Sequence, residues 1–315
     1  MNKKNKDLIE NIKYSNNETS KKILKNAKIS DIIFYLTYIF LTIIFFSLIF
    51  IKVRTSVLLI ISIAYFFVIL DLAIFQKLYM NKLIKETINV TICPEAFFDL
   101  NLYNAKKIFC KEKAYNYYLN NIAKAYILLG KTEKATKILK QIDKNKKNIS
   151  LQGEILQNKI EIAFIKRDLK EFNKQNDNLN KIFRFIPKKF KDEIKLSNKV
   201  KQAILEKNTK EVEDLCESFS KNKNKYTEVM NAYYRGVVLE ETGKDNYGEY
   251  YKFVADNGNN LMIANQVREK MNIKEKKEVY KIKKHFIYNT YKFITFSISL
   301  FICIIWIFYL ISHVH

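Results

Sequence analysis

The sequence predicts an all-α membrane protein with two N-terminal transmembrane helices, an α-solenoid of about four helix pairs and one C-terminal transmembrane helix. Three observations carry that expectation. Three apolar runs, Ile32 to Ile51, Val57 to Phe75 and Phe293 to Ile311, each hold about the 20 residues that cross roughly 30 Å of hydrocarbon as a helix. In the middle of the chain, breaks recur at Gly130, Arg167, Lys207 and Gly243, spaced by 37, 40 and 36 residues. Each break separates two stretches of helical apolar periodicity, the pattern of a two-helix repeat. The β-branched residues are mostly isoleucines at helical spacing, and no Asn-Gly or Asp-Gly turn stands between alternating strands.

Residues 1–31 form a polar, lysine-rich segment and precede a hairpin over 32–75, whose spans are 32–51 and 57–75. The long polar lead and the lack of a small-residue cleavage site argue against a secretory signal. Lys3, Lys4, Lys6, Lys13, Lys21, Lys22, Lys25 and Lys28 precede the first span, against Lys52 and Arg54 between the spans. The bias of basic residues toward cytoplasmic loops therefore puts the N-terminus inside. Lys77, Lys82 and Lys85 after the hairpin, and Lys276 to Lys292 before the third run, put the middle inside as well. The tail 312–315, without Lys or Arg, is expected outside. Asp71 is a carboxylate at membrane depth but lies four residues from the inner end, where interfacial water reaches it.

A linker is expected over 76–93, followed by the helical-repeat domain at 94–273. Pro94-Glu95 has the chemistry of a helix start, with proline in the first turn and an acid at the positive end of the helix dipole. Pro187 falls between the second and third repeats, where a break is wanted. A basic juxtamembrane helix over 274–292 leads into the span 293–311, and its lysines favour anionic lipids.

The stretch Leu119 to Ala135 resembles a tetratricopeptide repeat. Small residues at Ala123 and Ala135 let paired helices approach, Tyr126 fills the gap, and Gly130 ends the first helix where a positive φ is wanted. Gly236, Leu239, Gly243, Gly248 and Ala255 repeat that logic in the last unit. The inner units carry Ile160 and Phe172, then Val200 and Val212, at the small positions. Ile142, Leu179, Phe219 and Ala255 are a further equivalent set. What the resemblance implies is a peptide-binding face lined by the first helix of each pair. In this chain that face would hold Asn121, Lys124, Gln157, Asn158, Glu161, Asn198, Lys201, Tyr233, Tyr234 and Val237. Asn121, Asn158 and Asn198 share one repeat position, and an amide there can pair with peptide backbone whatever its sequence.

The net charge of +23 is spread along the chain, with the Lys, Asn, Ile, Tyr and Phe richness of an A/T-biased bacterial genome, and nucleic acid is not the expected partner. Cys93, Cys110, Cys216 and Cys303 have no paired spacing, and His285, His313 and His315 form no metal-binding pattern with them. No phosphate loop, nucleophile elbow or metalloprotease motif occurs. The expectation is a non-enzymatic, cofactor-free scaffold at a plasma membrane that binds a protein or peptide. The alternative is a structural subunit held in a larger complex through its spans.

Overall fold

In the computed structural model the described residues are 9–50, 55–107, 112–142, 148–185, 188–219 and 224–274. They form twelve α-helices of six residues or more, one 3-10 turn and no strand. The segment 274–292 (but for Lys274), the span 293–311, the tail 312–315 and Pro187 lie outside them. The chain divides into two compact units. One contains the described residues of Lys22–Leu83, the other those of Met1–Lys21 and Ile84–Val279.

In the first unit, α1 (Glu18–Phe50) and α2 (Thr55–Asn89) make a helical hairpin. Phe34, Leu41, Val68 and Leu72 interlock along its seam. The Thr42 and Tyr65 hydroxyls bond at 2.8 Å, and the Gln76 amide donates to Asp31 at 2.8 Å. Ile32, Leu36, Ile43, Phe66 and Phe67 point outward and are at least half exposed. Both helices are long and apolar enough to cross a membrane. At 33 and 35 residues they run about 50 Å, well beyond a bilayer core. The stretch 76–93, expected to be a linker, is helical as far as Asn89, since 76–89 contains no Gly or Pro and is rich in good helix formers.

The second unit is a succession of antiparallel helix pairs. α3 (Pro94–Lys107) packs on α4 (Glu112–Leu128). Then α4 pairs with α5 (Thr132–Ile142), α6 (Ile149–Ile165) with α7 (Leu169–Ile182), α8 (Lys188–Leu205) with α9 (Thr209–Phe219), and α10 (Lys225–Glu241) with α11 (Tyr247–Asn257). The first helices also touch in turn, α4 on α6, α6 on α8 and α8 on α10, and α12 (Met262–Met271) covers α11. The equivalent repeat positions Ala123, Ala135, Ile160, Phe172, Val200 and Val212 are all buried, as are Ile142, Leu179 and Ala255. The described segment up to Lys21 is strapped onto α3 by Asp99, which accepts hydrogen bonds from the Ser15 backbone and hydroxyl and from the Ser20 hydroxyl.

The four sequence breaks are four copies of one turn. Gly130, Arg167, Lys207 and Gly243 all have positive φ, at 75°, 55°, 59° and 69°. At each, its own N–H bonds the carbonyl three residues back and the next N–H bonds the carbonyl five back, as in Lys131 to Tyr126, Asp168 to Ala163, Asn208 to Ala203 and Lys244 to Leu239. This closure satisfies the last carbonyls of a helix and needs a left-handed residue. The next helices open on side-chain caps, with Asp168 accepting from the Glu171 N–H and Asn208 from the Glu211 N–H. Lys207 bears the left-handed strain with a side chain exposed to water. Lys207→Gly should therefore stabilise the protein by about 1 kcal/mol, read as a higher thermal midpoint; an unchanged or lower midpoint would contradict the assignment.

Candidate functional site

Most of the residues expected on a binding face are engaged inside the helical unit. The amide of Asn121 (7% exposed) donates to Asn101 on α3 at 2.9 Å. That of Asn158 (4%) donates to the Asn120 side chain on α4 at 2.8 Å. Asn198 (2%) exchanges hydrogen bonds with Gln157 on α6, at 3.0 and 3.2 Å, and also donates to Asn176. Lys201, equally buried, forms an ion pair with Glu161, to which Gln157 also donates. The shared asparagine position thus places amides where a first helix meets a neighbouring helix. A buried amide leaves an unsatisfied group if shifted by one turn, so these bonds fix helix register. Tyr234 and Val237 belong to the core, Tyr234 edge-on to Phe164. Lys124 is exposed, while Tyr233 is half-buried.

Tyr233 opens onto a cavity of about 150 Å³ in this unit. Its walls come from the end of α4 (Leu128), the end of α6 (Glu161, Phe164 and Arg167), one face of α10 (Tyr226, Met230 and Tyr233) and the start of α12 (Met262 and Gln266). α12 reaches this place through a chain of polar contacts. Arg268 is buried and donates to the carbonyls of Ala255 and Asn259, the first being an orphan carbonyl of the α11 C-terminus. Asn259 donates to the Thr91 carbonyl, and Asn260 to Glu95 at 2.7 Å. Met262 then lies against the turn at Gly130, where an added Cβ would meet its Cγ at 2.9 Å.

The cavity lining mixes apolar side chains with hydrogen-bond donors. Burial, and then the nearby Glu161 carboxylate, push the Tyr226 phenol up. Burial also raises Tyr233, with Arg167 pulling the other way and Glu240 and Glu241 adding to the rise. Both phenols are thus neutral hydrogen-bond donors at neutral pH. The Arg167 guanidinium lies 5.8 Å from the centroid of the Phe164 ring. Sequence reasoning singled out Arg167 only as a helix break and did not find Met230, Met262 or Gln266.

Cys93 and Cys216 are buried and take part in no disulfide. Burial, followed by the Glu95 carboxylate, pushes the Cys93 thiol up to about 12. It is therefore a buried thiol held in its protonated form at neutral pH. A folded pKa raised above the unfolded one leaves stability intact below the unfolded value of about 9 and removes it as pH climbs toward 12. The raised phenols of Tyr226, Tyr233, Tyr234 and Tyr251 act with the same sign. The thermal midpoint is expected to be flat from pH 7 to 8.5 and to fall steadily between pH 9 and 11; a midpoint rising over that interval would contradict the assignment.

Among the described residues no group of three His, Cys, Asp or Glu side chains could hold a metal ion. No protein-family model, curated protein or solved structure matches the chain.

Proposed function

We propose that the chain is a membrane-anchored helical-repeat scaffold, similar in architecture to tetratricopeptide-repeat proteins, that binds a protein partner at the cytoplasmic face of a plasma membrane without enzymatic activity. The observation that carries this reading is the side-by-side packing of α4, α6, α8 and α10, with each of their C-termini closed by the same turn, in a chain that also has an outwardly apolar hairpin. Repeats stacked in this way present an extended surface built from equivalent positions. The lysine distribution supports an N-in topology with the C-terminus outside, and the basic stretch Lys276 to Lys292 suits anionic lipids. Lys124 is the most open member of the proposed binding face and Tyr233 is half-buried beside the cavity, while the asparagine amides already have partners.

The test is crosslinking and capture of the full-length protein from native membranes, beside a Lys124→Glu/Tyr233→Ala variant with an unchanged thermal midpoint. Retention of one defined protein by the parent and its loss by the variant supports the scaffold. Equal retention by both would remove the proposed face.

One observation favours a second reading, a structural subunit held through its spans. Asp71 is exposed on α2 within an apolar run. A carboxylate this near the inner end of a span is satisfied by interfacial water or by a polar group of a neighbouring helix. Asp71→Asn would then release a co-purifying membrane complex that the Lys124→Glu/Tyr233→Ala variant retains.

A further inference from the structure

We infer that the cavity between α4, α6, α10 and α12 is a binding site for a small amphipathic carboxylate, a single aryl or branched-alkyl body carrying one acid group. The inference goes beyond partner binding and does not depend on it. A volume of about 150 Å³ is close to that of an engineered apolar cavity known to admit benzene. Leu128, Phe164, Met230 and Met262 supply the apolar surface, and the two methionines can adjust to the outline of a guest.

The polar lining decides the charge. Glu161 is already occupied, paired with Lys201 and accepting from Gln157. Glu240 is taken by Lys270 and by the Tyr251 hydroxyl. Glu241 is exposed, where water and salt screen it. Among the described residues no carboxylate pairs with Arg167, which lines the cavity together with Tyr233 and Gln266 and acts electrostatically on the Tyr233 phenol. A planar guanidinium is suited to gripping a carboxylate through two parallel hydrogen bonds, and a phenol held in its protonated form can donate a third. The site thus combines apolar walls enclosing the volume of one ring with a few donors among its lining residues, the usual composition of a small-ligand site.

The test uses full-length protein in nanodiscs of zwitterionic lipid and 4-fluorophenylacetate followed by fluorine NMR, with empty nanodiscs as the blank. The acid should bind with a dissociation constant on the order of 0.1 mM. Unlabelled phenylacetate should displace it and acetate at the same ionic strength should not. The neutral 4-fluorophenylacetamide should bind about tenfold more weakly, the usual scale of one charge-assisted contact. In Arg167→Gln, a change at an exposed position, the acid should fall to the level of the amide while the amide is unaffected. In Leu128→Trp, which fills the cavity, both should be lost. Three results would overturn the inference: no displacement by phenylacetate in the parent, displacement by acetate, or undiminished preference for the acid in Arg167→Gln. Should Leu128→Trp fail to fold, the Arg167→Gln comparison alone decides.

Discussion

Gly236→Ala is expected to lower the thermal midpoint of the full-length protein, although alanine is the better helix former. A Cβ at residue 236 would stand 2.5 and 2.6 Å from two ring carbons of Tyr251. That ring cannot swing aside. It is 3% exposed, its hydroxyl donates to Glu240 at 2.9 Å, Tyr247 packs edge-on against it, and the Lys270 ammonium lies over its face. Relieving the overlap requires α10 and α11 to separate or the hydroxyl to leave Glu240. Overpacking of this kind costs about 3 kcal/mol, against roughly 1 kcal/mol gained from helix propensity. The net loss of about 2 kcal/mol corresponds to a midpoint about 4–8 °C lower for a unit of this size.

Two comparisons make the prediction specific. At Gly248, on α11, an added Cβ would meet only Met271 at an ordinary 3.7 Å, so Gly248→Ala should be neutral or slightly stabilising. Combining Gly236→Ala with Tyr251→Leu should cost less than the sum of the two single changes, because the smaller side chain removes the overlap. Strict additivity would show that the close approach of α10 to α11 does not set the cost.

How much of this was legible in the sequence depends on how local each feature is. The four turns could be read because a left-handed residue after a helix leaves a mark within a few positions, even where the mark is the charged Arg167 or Lys207 instead of glycine. The hairpin could be read because two apolar runs of about 20 residues, separated by five residues, are themselves a local signal. Its outer limits could not, since α1 begins at Glu18 and α2 continues to Asn89 through polar sequence that no bilayer constrains. The asparagines show the difficulty most clearly. Their periodicity identified Asn121, Asn158 and Asn198 as equivalent, yet equivalence does not say which neighbour a side chain meets. An amide suited to a peptide backbone is equally suited to another amide on the next helix. The cavity had no local signal. Leu128 and Met262 are far apart in sequence, and α12 comes to the end of α4 through the polar chain of Asn259, Asn260 and Arg268 together with the burial of Leu261, Ile263, Ala264 and Val267 in the core.

The ion pair between α6 and α8 should respond asymmetrically to the loss of its two partners. The Lys201 side chain is 3% exposed and that of Glu161 is 27% exposed. Glu161→Gln would leave a buried ammonium with the Ser197 hydroxyl and a neutral amide for company, at an expected cost of about 3–4 kcal/mol. Lys201→Met leaves a carboxylate that still accepts from Gln157 and can recruit water through its exposed edge, so the cost should be nearer 2 kcal/mol. Replacing both together, Lys201→Met with Glu161→Leu, should return to within about 1 kcal/mol of the parent, since neither charge is then stranded. Equilibrium unfolding of the full-length protein in mild detergent, followed by labelling of the buried Cys93 and Cys216 thiols, measures all three variants. If the two single changes cost the same, or Lys201→Met costs more, burial of the ammonium does not control the pair. If the double variant is as unstable as either single one, the side chains hold α6 against α8 by shape and packing, and their charges are incidental.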